Sequence, residues 1–459
     1  MIQPKFTFPA ALLLLLAFNA ASQNITQKLA TTFQQFEKDP QLQSALLSIY
    51  IVDDKGTVVF KRNETIGLAP ASTQKIITSA TAYSVLGKDF TYHTDFGFVK
   101  QADGTSSLYI KGSGDPTLGS GRWLQTTDTA VLNRVARAAK GVALNSTVYI
   151  DTTGWEGERI PAGWIWEDIG NYYGAGAGML NWRENQYDLF LRSGAVVGAP
   201  VVITGTDPVL ENYTISSSIT AAEKGSGDHA FIYFSPGADS AVVRGTIPVN
   251  EPHFSISGAM PDPVRQFAAA LLKTLQVPGA SKNMQVVYGN SNKFKTALFY
   301  TEVSPPLDSV IYWLNKKSIN LYAEALLKTI AFQKSNRGDM ETGMDILKSL
   351  WQEKGIPETA LNMVDGSGLS PLNRVTTKAQ VTILQYAQKQ PWFTGFYQSL
   401  PEYNGMKLKS GTIRDVKGFA GYHTSRAGVG YTLSFLVNNY NGASAALVKK
   451  MYAVLDVLK

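Results

Sequence analysis

The sequence predicts a mixed α/β protein in which an antiparallel five-stranded sheet is flanked by helices and interrupted by a β-rich insertion. The chain has 459 residues, of which 44% are hydrophobic, and this is enough for at least two domains with cores of their own. Strand-like segments lie near both ends, whereas short alternating segments rich in Gly, Thr, Ser, Val and Tyr fill residues 92–258. We therefore expect the last strands of the chain to pair with the first ones in a single sheet.

Residues 1–22 have the pattern of a cleaved export signal. Lys5 supplies a positive charge, residues 10–18 are apolar, and Ala20-Ala21-Ser22 offers the small residues that a signal peptidase requires. The apolar run is too short to span a bilayer. A buried N-terminal helix is the alternative. The signal interpretation predicts an exported protein, periplasmic or otherwise in the cell envelope, with no integral membrane segment after cleavage.

Residues 23–91 form the first part of the main domain. The expected elements are a helix over 25–37, strands over 44–52 and 58–61, and a helix over 70–86. Asp53-Asp54-Lys55-Gly56 has the composition of a hairpin turn between the two strands. Pro70 suits the approach to the second helix, and Gly87 suits its end.

Residues 259–459 form the second part of the main domain. The expected elements are helices over 264–276 and 307–332, strands over 405–413, 417–423 and 430–438, and a closing helix over 443–458. The three late strands and the two early ones together make the five-stranded antiparallel sheet. The first and last helices of the mature chain are expected to pack on one face of it.

The composition excludes several classes of protein. The formal net charge is +6, from 42 basic and 36 acidic residues without long basic runs, which argues against a nucleic-acid binder. The chain has no cysteine and only four histidines. None of the histidines has a metal-ligand spacing, so we expect no metal, no cofactor and no cysteine nucleophile.

Ser72 and Lys75 form the only S-x-x-K pattern in the chain. At the start of a helix the hydroxyl and the amine lie on one face, about one turn apart. A lysine whose pKa is lowered by burial or by a second cation can take the proton of a serine nucleophile. The alternative is a chance pair on a surface helix.

Two further patterns follow in the order known for penicillin-recognising serine enzymes, S-x-N and then K-[ST]-G. Ser318 and Asn320 lie between helical stretches, where the hydroxyl can relay a proton and the amide can bind both a substrate carbonyl and the lysine. Other S-x-N matches occur at Ser22 and Ser281, so this pattern is weak by itself.

Lys409-Ser410-Gly411-Thr412 contains the only K-[ST]-G match and lies in a predicted strand. Lys409 can hold an anionic group and keep Lys75 deprotonated, and Ser410 can bind a substrate carboxylate. Gly411 leaves room for substrate to pair along the strand edge. The alternative is a glycine bulge beside a surface lysine.

With these motifs the chain resembles the class C low-molecular-mass penicillin-binding proteins, the D-alanyl-D-alanine carboxypeptidase/endopeptidases. The likeness covers nearly the whole mature chain. Further stretches that carry it are residues 112–118, 163–168, 172–175, 304–307 and 365–370. The resemblance implies a β-lactamase/transpeptidase-like catalytic domain with extra domains inserted after the S-x-x-K helix.

The resemblance also implies roles for the motif residues. Ser72 would be the acyl-enzyme nucleophile and Lys75 the general base, while Ser318 and Asn320 would assist proton transfer and hold substrate. The family often has an acidic residue where this chain has Ile319, whose side chain is expected to point away from the cleft.

The third motif would bind substrate. Lys409, Ser410 and Thr412 would bind the terminal carboxylate and line the cleft, and the backbone N–H groups of Ser72 and Thr412 would form the oxyanion hole. For Asp168 two interpretations stay open: a contact with the cationic end of a stem-peptide side chain, or a structural hydrogen bond.

These expectations combine into an exported serine DD-peptidase that acts on peptidoglycan stem peptides and is acylated by β-lactams. It would cleave D-Ala–D-Ala bonds and, through the same groups, D-Ala–diaminopimelate cross-links. One alternative is a serine β-lactamase, although no separate motif supplies a deacylating base. The other is a catalytically silent peptidoglycan-binding protein.

Overall fold

The computed structural model of the protein describes residues 25–290 and 295–459. The predicted export signal over 1–22 lies outside the described residues. None of the described helices combines the length and the apolar character that crossing a bilayer requires.

The first part of the chain has the predicted elements. They are helix α1 (residues 25–37), strands β1 (Leu46–Asp53) and β2 (Val58–Arg62), and helix α2 (Lys75–Leu86). A short 3₁₀ turn, Ala71–Gln74, leads directly into α2. The Asp53 carboxylate accepts hydrogen bonds from the N–H groups of Lys55 and Thr57 and so closes the hairpin between β1 and β2.

The insertion contains eleven strands and four helices within the described residues. Its strands are β3 (His93–Lys100), β4 (Ser106–Lys111), β5 (Leu144–Asp151), β6 (Gln186–Arg192), β7 (Val202–Asp207), β8 (Thr214–Ala222), β9 (His229–Phe234), β10 (Ser240–Pro248), β11 (Phe254–Ala259), β12 (Gln285–Gly289) and β13 (Thr296–Val303). Its helices are α3 (Asp128–Ala138), α4 (Trp166–Ile169), α5 (Pro263–Thr274) and α6 (Ala280–Asn283).

The chain then completes the main domain. The helices are α7 (Leu307–Lys317), α8 (Asn320–Ser335), α9 (Met340–Glu353), α10 (Thr377–Gln388), α11 (Phe393–Ser399) and α12 (Ser444–Leu455). The strands are β14 (Leu361–Asn362), β15 (Arg374–Val375), β16 (Glu402–Tyr403), β17 (Met406–Ile413), β18 (Val416–Thr424) and β19 (Gly430–Asn438).

One antiparallel sheet joins the two ends of the chain, as predicted. Its order is β16-β17-β18-β19-β1-β2, so β19 pairs with β1 across the insertion and the two-residue β16 adds an edge to the five expected strands. Apolar side chains of α1 and α12, such as Phe33 and Met451, pack with Phe435 on one face. Helices α2, α8 and α10 contribute to the core on the other side. The predicted fold class is therefore confirmed.

The insertion extends further than the boundary at 258 suggested by the sequence. Strand β12 pairs in parallel with β5, and β13 pairs antiparallel with β3, while Phe267 of α5 packs in the same core as Phe96. The insertion thus runs to Val303. Helical periodicity predicts that α5 is a helix but does not indicate which core it joins. We therefore placed it in the main domain, with the other predicted helices, when only the sequence was considered.

The insertion contains two cores. A five-stranded sheet, β12-β5-β4-β3-β13, packs with α3 and α5 around one core. Two three-stranded sheets, β8-β10-β9 and β11-β6-β7, enclose the other. Leu369 of the main domain also packs in this second core, which brings the insertion against the region that contains the sequence motifs.

Candidate active site

Ser72 and Lys75 lie as the S-x-x-K pattern predicts. Ser72 is in the 3₁₀ turn, and Lys75 is the first residue of α2. The side-chain nitrogen of Lys75, Nζ, lies 3.0 Å from Ser72 Oγ. The lysine side chain is fully buried, whereas the serine is half-buried at the wall of a cavity.

The Lys75 amine has three polar neighbours. Besides Ser72 Oγ they are Asn320 Oδ1 at 2.6 Å and the Ser367 carbonyl oxygen at 2.7 Å. Burial lowers the pKa of Lys75 to about 7, although the carboxylates of Glu324 and Asp365 oppose that shift. A neutral amine has two protons and one lone pair. Because the two carbonyl oxygens accept the two protons, the lone pair is left for the Ser72 hydroxyl.

The second motif lies between two helices, as predicted. Ser318 ends α7 with a left-handed backbone, φ 59°, and Asn320 begins α8. The Asn320 amide nitrogen donates to the Tyr173 carbonyl oxygen at 2.7 Å. This bond fixes the orientation of the amide, so its oxygen faces Lys75. Tyr173 belongs to the insertion, which therefore supports the site directly.

Lys409 of β17 is buried behind Ser318. Its Nζ donates to Ser318 Oγ at 2.9 Å and to the Ser410 carbonyl oxygen at 3.0 Å. Burial, followed by the charges of Lys75 and Lys417, lowers the pKa of Lys409 well below its ordinary value. The sequence suggested that Lys409 keeps Lys75 deprotonated, whereas here the charge of Lys75 lowers the pKa of Lys409 and burial lowers that of Lys75.

Gly411 makes room for the Ser72 turn, a close approach that the sequence analysis did not foresee. A Cβ added at Gly411 would lie 2.6 Å from the Pro70 carbonyl oxygen and 3.0 Å from the Ser72 nitrogen. Strand β17 therefore passes against the backbone of the turn. This close approach sets the position of Thr412 relative to Ser72.

A cavity of about 640 Å³ lies between the main domain and the insertion. Its lining includes four motif residues: Ser72, Ser318, Asn320 and Thr412. The remaining four motif residues are not part of this lining; Lys75 and Lys409 are buried, and Ser410 and Gly411 lie along β17. Thr412 Oγ1 accepts a hydrogen bond of 2.7 Å from Lys417.

Ile319 also contributes to the cavity lining, whereas the sequence suggested that it points away from the cleft. It is 7% exposed and packs in the helical core of the main domain. An acidic side chain would be costly in this position because most of it would be removed from water.

The insertion forms the opposite wall of the cavity. Glu167, Asp168 and Tyr173 line it, and a Glu167–Arg414 ion pair of 2.8 Å joins α4 to the end of β17. Burial and the Glu167 charge raise the pKa of Asp168 to about 6, and a hydrogen bond with Tyr173 opposes that shift. The Asp168 side chain thus lines the cavity beside Tyr173.

The sequence analysis missed a buried carboxylate that supports the lysine. Glu324 lies on α8, one turn beyond Asn320, and its oxygens accept hydrogen bonds of 2.8 Å from the N–H groups of Gly366 and Ser367. The same Ser367 residue offers its carbonyl oxygen to Lys75. The i, i+4 spacing from Asn320 was the only available signal, because it places both residues on one helix face.

Asp365 organises the loop that carries Ser367. Its carboxylate accepts hydrogen bonds from five groups: the side chains of Gln74, Trp164 and Asn373 and the N–H groups of Gly368 and Ser370. The turn composition of residues 365–370 indicated a loop but not this network. Trp164, from the insertion, thereby connects the insertion to the floor of the site.

Comparison with protein families matches residues 29–402 to the model of the D-Ala-D-Ala carboxypeptidase 3 (S13) family. The chain belongs to this family. The S13 match covers most of the chain, and it confirms the family resemblance seen in the sequence and the predicted enzyme class, a serine-type D-Ala-D-Ala carboxypeptidase.

Three curated relatives are similar to this S13 chain. The penicillin-sensitive carboxypeptidase A of Dictyostelium discoideum is 25% identical over 72% of the chain, and the match spans 65% of that relative. A D-alanyl-D-alanine carboxypeptidase of Actinomadura is 24% identical over 91% of the chain and 82% of the relative. The D-alanyl-D-alanine carboxypeptidase DacB of Haemophilus influenzae is 21% identical over 84% of each.

The fold of the S13 chain matches a solved structure along almost its whole length. The crystal structure of penicillin binding protein 4 from Haemophilus influenzae superposes with a TM-score of 0.76 at 19% identity, covering 95% of this chain and 98% of that one. A second structure of that protein, in complex with a β-lactam, gives a TM-score of 0.71 at 20% identity. These matches show the fold, including the inserted domains.

Proposed function

We propose that the protein is a serine DD-peptidase that cleaves the D-Ala–D-Ala bond of peptidoglycan stem peptides through an acyl-enzyme on Ser72. The observation that carries this proposal is the geometry of the Lys75 amine. Its two carbonyl partners leave its lone pair directed at the Ser72 hydroxyl, 3.0 Å away. A serine hydroxyl becomes an effective nucleophile when such a base is within hydrogen-bond reach.

In the acylation step, Ser72 Oγ attacks the carbonyl carbon of the penultimate D-Ala while its proton passes to Lys75 Nζ. The carbonyl oxygen becomes an oxyanion, which the backbone N–H groups of Ser72 and Thr412 would stabilise. Donors of this kind contribute about 3–4 kcal/mol each to transition-state stabilisation. The close packing at Gly411 supports this assignment, because it holds the two backbone segments against each other.

Collapse of the tetrahedral intermediate breaks the C–N bond and requires a proton on the leaving amine. Ser318 would relay this proton, because it lines the cavity and its Oγ accepts from the buried Lys409 amine at 2.9 Å. It would give its own proton to the leaving nitrogen and be reprotonated by the proton that Lys75 took from Ser72, which returns Lys75 to its neutral form. D-Ala then departs as a neutral amine with its carboxylate. Water subsequently attacks the ester carbonyl while Lys75 accepts one of its protons, and transfer of that proton to Ser72 Oγ releases the shortened peptide and restores the enzyme.

The terminal carboxylate of the substrate would lie near Thr412, because this residue lines the cavity and bonds the Lys417 ammonium. Ser410 and Lys409, which precede Thr412 on strand β17, would also help to bind this carboxylate. On the opposite wall, Asp168 would meet the cationic end of a stem-peptide side chain. The same groups would serve a D-Ala–diaminopimelate cross-link, because the cavity is open between the domains.

Export is proposed on the sequence pattern of residues 1–22, since the substrate lies outside the cytoplasmic membrane. A periplasmic or cell-envelope location follows from that proposal. β-Lactams would acylate Ser72, because they present a strained amide to the same nucleophile and oxyanion donors.

Release of D-Ala from diacetyl-Lys-D-Ala-D-Ala by the purified protein tests the function. We expect turnover by the native chain and none by Ser72→Ala, with a Ser410→Ala variant keeping part of the activity as a control for folding. Nitrocefin separates the peptidase from a β-lactamase: a long-lived adduct without turnover supports the peptidase. Binding to cell-wall sacculi without any D-Ala release would favour a silent binding protein instead.

A further inference from the structure

A second cavity of about 540 Å³ lies on another side of the molecule and shares no lining residue with the active-site cavity. Three parts of the chain meet around it: helix α8 of the main domain, helix α5 with β12, and the turns beside β9 and β10. Its walls contain apolar and aromatic side chains that would suit an organic ligand. These are Trp155, Met179, Leu210, Tyr213, Phe234 and Met260.

Three cationic side chains line this cavity, of which Lys328 is buried and Arg159 and Arg265 are half-buried. Lys328 is 3% exposed, and its Nζ donates to the carbonyl oxygens of Glu158 and Ala177. Arg159 donates to the Pro261 carbonyl oxygen. Arg265 lies in the first turn of α5. Burial lowers the pKa of both Lys328, to about 8, and Arg159.

None of these three cations has a carboxylate within ion-pair distance among the described residues. Two buried donors of the lining also lack an acceptor: Arg265 Nε and the indole Nε1 of Trp155. Withdrawing cations from water without a paired anion is costly. An anionic ligand group would offset that cost and satisfy both donors.

The acidic residues of the cavity are arranged differently. Glu156, Asp239 and Asp262 are exposed, so they lie toward solvent, and Glu211 is half-buried. Glu156 already pairs with Arg337 at 3.7 Å, and the Asp262 carboxylate accepts from the backbone N–H of Arg265. Lys328 is thus buried and the two arginines are half-buried, whereas three of the four carboxylates are exposed. This gradient fits a ligand that enters carboxylate first and keeps an amine near the mouth.

We propose that this cavity binds a short peptide through its C-terminal carboxylate, with Arg265, Arg159 and the Trp155 indole as donors. A guanidinium fork matches the two oxygens of a carboxylate, and the apolar walls receive the side chains. None of the residues of this site lines the cavity that contains Ser72. Peptide binding here can therefore be tested whether or not the proposed peptidase activity is found.

The site also has a physical connection to the catalytic centre. Lys328 lies on the same helix as Asn320 and Glu324, two turns beyond Asn320 and one turn beyond Glu324. Its partner Ala177 is in the same inserted segment as Tyr173, whose carbonyl oxygen binds Asn320. A ligand that moves Lys328 or Arg159 would therefore displace helix α8, which contains Asn320, or the inserted segment that contains Tyr173. Either displacement would change the position of the Asn320 amide.

The test is a titration of the full-length Ser72→Ala protein with L-Ala-L-Ala-L-Ala, followed by saturation-transfer NMR. We expect saturable binding, and binding at least about tenfold weaker for the C-terminal amide of the same peptide, because the amide loses its charge-assisted hydrogen bonds. Inorganic phosphate serves as a competitor that carries the charge without the apolar body, and we expect it to compete weakly.

Variants locate the site. Arg265→Gln should weaken binding about tenfold, and Trp155→Phe, which removes only the indole donor, about threefold. Arg244→Gln, an exposed arginine elsewhere in the insertion, and Ser410→Ala, beside the active site, should bind normally. Melting curves confirm that each variant is folded. The proposal is overturned if the tripeptide does not bind, if its amide binds equally well, or if Ser410→Ala weakens binding while Arg265→Gln does not.

Discussion

Lys75 Nζ and Asn320 Oδ1 lie 2.6 Å apart, and this contact connects the first two sequence motifs across 245 residues. The amide cannot rotate freely, because its nitrogen is bonded to the Tyr173 carbonyl oxygen. Asn320 and Ser367 therefore orient the lysine from two sides. The consequence for chemistry is a buried amine whose free lone pair faces Ser72.

Lys75→Met should abolish most of the activity while leaving the fold intact. We expect the rate of D-Ala release to fall about 10²- to 10⁴-fold, the usual contribution of a general base. The buried oxygens of Asn320 and Ser367 lose a donor, so the free energy of unfolding should change by no more than about 1–3 kcal/mol. Lys407→Met, on the same strand as Lys409 but outside the site, is the matched control. Activity within about twofold of native in Lys75→Met would exclude this lysine as the base.

The acylation rate should rise with pH through about 7, the value to which burial lowers the pKa of Lys75. Below this pH the amine is protonated and cannot accept the serine proton, and above it the amine is neutral. The measurement is the second-order rate constant of penicillin acylation from about pH 5 to about pH 9. A rate that is flat or that falls over this range would be incompatible with a neutral lysine base.

Glu324→Gln should shift that pH profile toward lower pH. The Glu324 carboxylate raises the pKa of Lys75, so removing its charge stabilises the neutral amine. Burial and the Asp365 charge raise the pKa of Glu324 itself to about 8, so it is only partly ionised near the Lys75 midpoint and the expected shift is small. The variant also loses one of the two acceptors for the Gly366 and Ser367 N–H groups, and some loss of stability follows. A purely structural role would lower the rate at all pH values without moving the midpoint, and that result would contradict the electrostatic role.

Gly411→Ala should impair both activity and stability. The new methyl group would lie 2.6 Å from the Pro70 carbonyl oxygen and 3.0 Å from the Ser72 nitrogen, so β17 must move away from the turn. Overpacking of this kind typically costs about 1–3 kcal/mol. Gly194→Ala is the control, because nothing lies within 4 Å of its added Cβ. Thermal unfolding and D-Ala release measure the two effects, and a fully active Gly411→Ala would show that the close approach does not position Thr412.

Ser318→Ala tests proton delivery to the leaving group. We expect the release of D-Ala to slow about 10²-fold or more, because the amine would lose its proton donor. The Lys409 amine keeps the Ser410 carbonyl oxygen as an acceptor, so the variant should remain folded. The kinetic comparison uses Ser410→Ala, and equal rates for the two variants would remove Ser318 from the mechanism.

The sequence predicted the parts of the fold and site that local patterns determine. The spacing of Ser72 and Lys75, the loop position of Ser318 and the strand position of Lys409 all follow from helix and strand periodicity. Strand β19 was predicted with the bounds that the structure has, Gly430–Asn438.

Other features depend on long-range packing that no local pattern records. Lys75 and Asn320 bond to the backbone carbonyl oxygens of Ser367 and Tyr173. Every residue has such an oxygen, so the identity of these two residues did not predict the bonds. The sequence also does not show that β12 and β13 belong to the insertion. Short strands pair with the sheet edge that the tertiary structure brings next to them, and no local pattern records which edge that is. The packing of Gly411 against the Ser72 turn was not foreseen for the same reason: a glycine indicates close approach but not what approaches.

The most direct test of the central claim is the intact mass and peptide map of the protein after exposure to benzylpenicillin. We predict a single covalent adduct with the mass of the intact drug, located on the peptide that contains Ser72 and absent from Ser72→Ala. An adduct that persists in Ser72→Ala, or no adduct on the folded native protein, would contradict the assignment of Ser72 as the nucleophile.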